Sequence, residues 1–415
     1  MPPIRTLLKN LGPGLLFASM AIGTSHLVLS TKAGAQYGWI MVIPIILANL
    51  LKYPFFEFGV RYTIVTNKSI IEGYRNRGKG YFWFYAFMTL ISIFTILATL
   101  YVVTAGLFIN LFGIRELPVH MAALGLFAFI SALLIVGKYQ FLESSLKLVV
   151  SILFLALLIT TVLVVSKGGA VPSPGFEAPA IFDEVGVLFL IGLIGWMPTA
   201  VETSSWISLW TLEKVKVSNK ILPLVEALQE FRVGYMLTAL LALFFMIIGW
   251  LTLYGTNTAI SGNAVTFSDQ LVQLFTAHIG SWTYPLIATA AFATMFSTCI
   301  TAHDALARVS LDIVGFISPK VKANRPNFAL AVLLLATINF AVVRLFSANM
   351  GQLVAVATFI SFVLAPLIGY MNLRNVMSND LPLAYRPKRG LRTLTYIGII
   401  FLSLFAFYYC WILLQ

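Results

Sequence analysis

Gly14-Leu15-Leu16-Phe17-Ala18-Ser19-Met20-Ala21-Ile22-Gly23 and Gly186-Val187-Leu188-Phe189-Leu190-Ile191-Gly192-Leu193-Ile194-Gly195 share one pattern, Gly-x-Leu-Phe-x-x-x-x-Ile-Gly. Each copy opens an apolar segment and runs straight into residues that weaken a helix. Thr24, Ser25 and His26 follow Gly23, and Trp196, Met197, Pro198 and Thr199 follow Gly195. Gly, Ser, Thr and Pro interrupt the backbone ladder, and an interrupted backbone persists at membrane depth only where it lines a polar cavity. The matched breaks therefore predict two discontinuous helices that face each other across a solute site. The structural alternative is a proline kink in one helix and a small-residue packing face in the other.

Composition places these segments in a bilayer. Hydrophobic residues make up 60% of the chain and charged residues only 10%, with a mean hydropathy of +0.93. A soluble domain carries roughly a quarter of its residues charged, so most of this exterior must face hydrocarbon. Crossing the bilayer takes about 20 apolar residues. Spans are expected near 12–31, 38–60, 82–112, 117–137, 141–166, 182–210, 231–254, 279–305, 327–347, 352–373 and 392–414. This is one all-α integral membrane domain over residues 1–415 with about eleven helices.

Five spans separate the two copies of the motif, so the second enters from the opposite side of the membrane. That is the pattern of an inverted repeat of five plus five helices: repeat one at about 12–166, repeat two at about 182–373, and an extra helix at about 392–414. With the N-terminus in the cytoplasm, 21 of the 27 Lys and Arg residues fall on the inside, among them Arg5, Lys9, Lys138 and Lys220. Only Lys32, Arg115, Lys167 and Arg344 fall outside, while Lys52 and Lys147 lie within spans. The asymmetry sets the N-terminus inside and the C-terminus extracytoplasmic, in the inner (plasma) membrane of a prokaryote. It also accounts for the net charge of +12 without a nucleic-acid partner; the expected surroundings are membrane lipid. Met1 to Leu11 shows no cleavage signal. Cys299 and Cys410 lie in apolar stretches and suggest no disulfide framework.

Around the breaks the residues resemble the Nramp family of proton-coupled divalent metal transporters. Gly12-Pro13 opens the first helix, and Gly34-Ala35-x-Tyr37-Gly38 follows its break. Phe55-x-x-Phe58-Gly59, Thr66-Asn67-Lys68-Ser69 through Glu72-x-Tyr74-Arg75, and Met197-Pro198 are also similar. The resemblance implies a LeuT-type fold with helices one and six broken, and a divalent transition-metal ion of the Mn/Fe class as cargo. By the same resemblance the substrate site includes Gly23, Thr24, Ser25, His26, Gly195, Trp196, Met197, Thr199 and Thr358, with His26 and Met197 as the metal ligands.

The departures fall on the chemistry. Gly23 stands where the family has its metal-binding Asp, His26 where it has Asn, Thr199 where it has His, and Thr358 near its helix-ten Gln. Helix three has no Asp or Glu between Glu72 and Glu116, so the family's proton relay is missing there. A neutral His and thioether pair still suits a borderline dication, but the charge of the ion goes largely uncompensated.

Glu202 lies inside helix six. An intramembrane carboxylate is expensive and expected to serve a cavity, as counter-charge or coupling site; otherwise it pairs with Lys52 or Lys147. His26 is read as a ligand, a titrating group, a donor to an organic solute, or a structural histidine. His303 and Asp304 in helix eight form a proton-accepting pair or, on the plainer reading, a gate in which Asp304 pairs with Arg308. Ser297, Thr298 and Thr301 are sodium ligands at helix-one carbonyls, as in sodium-coupled relatives of the fold, or ordinary packing hydroxyls. The second functional reading is thus a sodium- or proton-coupled transporter of a small organic solute, with Trp196 and Trp206 offering a cation–π face. No nucleotide motif, zinc signature or cofactor box accompanies these features, so no enzyme and no cofactor is expected.

Overall fold

Glycines set how closely the first helix approaches its neighbours, as seen in a computed structural model that describes residues 13–137, 139–218, 222–256, 261–346 and 350–412. Gly12 and the amino-terminal charges, Lys138, Lys220, and the side chains of Lys147 and Cys410 lie outside the described residues. The first helix is α1 (Pro13–Ala21), a wider π turn (Ser25–Ser30) and α2 (Thr31–Tyr37). Then come α3 (Val42–Thr66), the short α4 (Ile70–Arg77), α5 (Lys79–Phe112), α6 (Val119–Val136) and α7 (Tyr139–Lys167). The sixth segment is α8 (Glu184–Trp196) and α9 (Ser204–Ser218). It is followed by α10 (Leu224–Leu253), α11 (Ala264–Ile279), α12 (Tyr284–Ile317), α13 (Arg325–Phe346), α14 (Met350–Val376) and α15 (Arg389–Ile412). Each expected span overlaps one of these helices or helix pairs. Among the described residues, nine stretches are long and apolar enough to cross a membrane, and none is a strand.

Two boundaries differ from the sequence expectation for clear reasons. The eighth segment runs to Ile317 rather than 305, because Asp304, Arg308 and Asp312 continue the helix beyond the apolar core. Before it, residues read as loop fold into α11. Asn263 caps that helix by accepting from the amides of Val265 and Thr266, and Gly280 ends it at φ +132°, a backbone region open mainly to glycine.

The lipid-facing surface follows helical spacing. Ile397, Ile400, Leu404 and Phe407 form an exposed apolar stripe on α15, and Leu155, Ile159 and Val162 one on α7. Inside, contact relies on small residues, since lipid tails are as apolar as leucine and only close approach adds attraction. A Cβ at Gly34 in α2 would stand 1.9 Å from the Met246 carbonyl oxygen of α10, and one at Gly249 in α10 would stand 2.2 Å from that of Thr31. At the other end, a Cβ at Gly234 in α10 would meet the Gly14 carbonyl oxygen at 2.1 Å. Both halves of the first helix are thus seated backbone-to-backbone on α10.

Candidate functional site

The first helix loses its ladder after Ala21: the Gly23 amide bonds back to the Ala21 carbonyl only two residues away, at 2.8 Å. In the sixth segment, α8 stops at Trp196, Met197 and Ala200 are extended, and a short 3₁₀ turn at Val201–Thr203 leads into α9. Where the two interruptions meet lies a cavity of about 20 Å³, lined by Met20, Gly23, Thr24, Trp196, Thr199 and Trp206, with Ser25 and Thr203 beside them. Such a volume admits one water-sized occupant. The Thr24 hydroxyl is buried here without a hydrogen-bond partner. Thr199 donates its hydroxyl to the Met20 thioether at 3.4 Å. On the α5 side the wall is Ile96 and Leu100, both apolar.

Gly23 and Gly195 are glycine for lack of room. A Cβ at Gly23 would stand 2.8 Å from the Thr298 methyl, and one at Gly195 would stand 2.6 Å from the Thr358 carbonyl oxygen of α14. A carboxylate at position 23 therefore has to push the Thr298 methyl of α12 aside.

The remaining expected site residues stand behind the cavity rather than in its wall. His26 is fully buried, with both ring nitrogens engaged: Nε2 donates to the Thr238 carbonyl at 2.9 Å, and Nδ1 lies 2.8 Å from the Ser25 hydroxyl. Met197 is buried outside the lining. Thr358 donates within its own helix, to Val354 and Ala355 carbonyls. Thr298 donates to the Ser19 carbonyl of α1 at 2.9 Å, and Ser19 donates its hydroxyl to Ser297 at 3.2 Å. Of the helix-eight hydroxyls, that of Thr298 bonds a helix-one carbonyl, and Thr301 donates within its own helix.

Glu202 sits in the 3₁₀ turn, fully enclosed. Its Oε1 accepts from Ser92 of α5 at 2.9 Å and from Ser361 of α14 at 3.2 Å, while Oε2 has no hydrogen-bond partner. Ser361 also accepts from the Trp196 indole at 3.0 Å, so a short polar chain links the cavity wall to the carboxylate. His303 and Asp304 hydrogen-bond to different partners. His303 bonds to the Tyr101 hydroxyl at 2.8 Å and the Val332 carbonyl at 3.0 Å. Asp304 accepts from the Trp210 indole at 2.9 Å and from Arg308 at 2.8 Å, and Arg308 also reaches Glu213 at 3.3 Å.

Two participants escaped the sequence reading, and a third, Lys52, was read as a candidate partner of Glu202. Met20 sits one turn before Thr24, a spacing that could have marked it as lining the break. Ser361 gave no signal among the many hydroxyls of α14. Lys52 was visible as a lone charge in an apolar run, but its partners are backbone oxygens, which no side-chain pattern announces. Its ammonium donates to the carbonyls of Ile194 at 2.9 Å, Gly195 at 2.8 Å and Thr199 at 3.0 Å. Among the described residues, no cluster of three or more His, Cys, Asp or Glu is disposed to hold a metal.

Residues 14–411 match the natural resistance-associated macrophage protein-like family, Nramp. An uncharacterized protein of Pasteurella multocida is 31% identical over 399 residues, covering 95% of this chain and 90% of its own. Among solved structures, a variant of the manganese transporter of Eremococcus coleocola is similar with a TM-score of 0.73 at 15% identity, covering 98% of this chain and 87% of that one. Mhp1, a nucleobase-cation-symport-1 family transporter, is similar with a TM-score of 0.65 at 15% identity, covering 97% and 93%. MhsT, solved with L-phenylalanine, gives 0.61 at 14%, covering 95% and 98%. All share the LeuT-type fold.

Proposed function

The chain belongs to the Nramp family, a multi-pass membrane transporter and not an enzyme, and from that premise we propose that it moves a divalent transition-metal ion of the Mn/Fe class by alternating access. The observation that carries this reading is the cavity at the two breaks. At about 20 Å³ it suits a desolvated ion, whereas organic ligands occupy sites of several hundred Å³. Its polar atoms, the Met20 thioether and the hydroxyls of Thr24 and Thr199, are neutral donors of the kind borderline metals accept. The site is altered from the family's: Gly23 brings no carboxylate. His26 could ligate only by releasing Ser25 or Thr238, and Met197 only by turning inward. Glu202 is the nearest carboxylate that could balance the ion or carry a coupling proton, and Ser297 and Thr298 are where sodium would couple instead. The division into inverted repeats of five helices, with the N-terminus cytoplasmic, belongs to the same reading.

A second reading has an observation of its own. Both nitrogens of His26 are occupied and an ammonium covers the carbonyls beside the cavity, so a small organic solute coupled to sodium or protons fits the electrostatics better, provided the cavity widens on opening. Uptake of Mn²⁺ into proteoliposomes, with and without a pH gradient, separates the two. Uptake that saturates supports the metal. No uptake, together with no anomalous Mn²⁺ signal beside Met20 and Thr24 in soaked crystals, sinks it.

A further inference from the structure

Lys52 projects from α3 into the break of the sixth segment, fully buried, and its three contacts there are all backbone oxygens. An ammonium has three N–H groups and no acceptor. Here three carbonyls, those of Ile194, Gly195 and Thr199, lie at 2.8–3.0 Å, one for each N–H group of an ammonium. The three oxygens share a physical origin. Ile194 and Gly195 belong to the last turn of α8, where the regular ladder ends, the Ile194 carbonyl accepts from the Met197 amide at 3.3 Å, and the helix dipole is negative. Thr199 lies within the break and lines the cavity. Half-helix carboxyl ends and unwound carbonyls are the groups that coordinate cations in broken-helix transporters.

We infer that Lys52 is a tethered cation that occupies the carbonyl end of α8, competes there with any ion entering the neighbouring cavity, and thereby sets the charge preference of that cavity. Glu202 is close enough to interact electrostatically with Lys52. An arriving dication meets carbonyls that are already taken. The inference rests on reading the cavity between the two breaks as the cargo site.

The test uses the full-length protein, wild type and Lys52→Met, Lys52→Gln and Lys52→Arg, titrated with MnCl₂ by calorimetry and by thermal shift. Lys52→Met and Lys52→Gln should bind Mn²⁺ at least about tenfold more tightly than wild type, since a repulsive unit charge is removed at close range in a weakly screened interior. Lys52→Arg should stay at the wild-type value. Folded neutral variants that bind Mn²⁺ no better than wild type overturn the inference. If Lys52→Met does not fold, Lys52→Gln, whose amide keeps two N–H donors for the carbonyls, carries the comparison. A measurement on wild type needs no variant: in crystals soaked with Mn²⁺, no anomalous density should lie within coordinating distance of the Ile194 and Gly195 carbonyl oxygens, and density there overturns the inference. Wild type that takes up no Mn²⁺ removes the metal reading of the cargo. Tighter binding in Lys52→Gln would still uphold the role of Lys52.

Discussion

Restoring a carboxylate at position 23 is the most direct way to ask whether the cavity between the breaks holds the cargo. A Cβ at Gly23 would stand 2.8 Å from the Thr298 methyl and 3.5 Å from both the Met20 carbonyl oxygen and the Thr298 hydroxyl. At that distance the methyl has to move aside, and Thr298 is held by bonds to the carbonyls of Ser19 and Thr294. That clash sits at the mild end of overpacking, about 1 kcal/mol, so Gly23→Asp should fold with a melting midpoint lowered by no more than about 2–4 °C. The gain is electrostatic. A carboxylate about 4 Å from a dication attracts it by roughly 8 kcal/mol at an effective dielectric of about 20. Desolvating the carboxylate takes back several kcal/mol, which leaves a net gain of about 1.4–4 kcal/mol, or tenfold to several hundredfold in Kd. Calorimetric titration of purified Gly23→Asp with Mn²⁺ reads this directly, with Gly23→Asn as a control of the same shape without the charge. A folded Gly23→Asp that binds Mn²⁺ no more tightly than Gly23→Asn would refute the reasoning, because the ion would then be bound somewhere else or not at all.

Glu202→Gln keeps a group that can bond Ser92 and Ser361 but removes the charge, so thermal stability should hold within about 1 kcal/mol while the response of uptake to a pH gradient disappears. Unchanged pH dependence would remove Glu202 from coupling. Gly249→Leu places a side chain where even a Cβ would meet the Thr31 carbonyl oxygen at 2.2 Å. Prying α2 from α10 should cost about 3 kcal/mol or more and abolish uptake; a variant with wild-type melting and transport would show that the seam is not needed.

The parts of this molecule that the sequence made legible are those governed by local composition. Apolar runs marked the spans, and Gly23, Thr24, Ser25 and Pro198 marked the two interruptions, because each residue type weakens a helix wherever it stands. What stayed hidden depends on azimuth. His26 follows the break by three residues and could face either the cavity or α10. The π turn over Ser25–Ser30 adds residues to that turn, and the imidazole points to the Thr238 carbonyl. The thioether in the cavity wall is that of Met20, before the first break, whereas Met197 had the stronger motif. Lys52 was read as a candidate partner for Glu202, because ion pairing is what a buried charge suggests. Carbonyls freed by a helix end are an equal alternative, and they exist only once the break is folded.

The same geometry indicates which seam gives when the site changes sides. The first helix is joined to α10 by contacts that leave no slack: Gly34 and Gly249 on one side of the break, Gly14 and Gly234 on the other. Glu230 of α10 also accepts from the Gly14 amide at 3.3 Å and from Lys214 of α9 at 3.0 Å. In the same way α9 is joined to α3, where a Cβ at Gly59 would meet the Ser204 carbonyl oxygen at 2.4 Å and Thr63 bonds Ser208 at 2.6 Å. Toward α12 the character changes. The first helix meets it through the hydroxyls of Ser297 and Thr298, and α9 meets it through the Trp210–Asp304 bond and the Arg308–Glu213 pair. A hydrogen bond of this kind contributes about 0.5–1.5 kcal/mol and can be exchanged for water, whereas interlocked backbones cannot slide without separating. Rocking of the two broken helices, as alternating access requires, is therefore expected to carry α3 and α10 along and to open against α12. A distance label pair on α2 and α10 should stay fixed between inward-open and outward-open states while a pair on α9 and α12 changes, and the reverse pattern would refute this division.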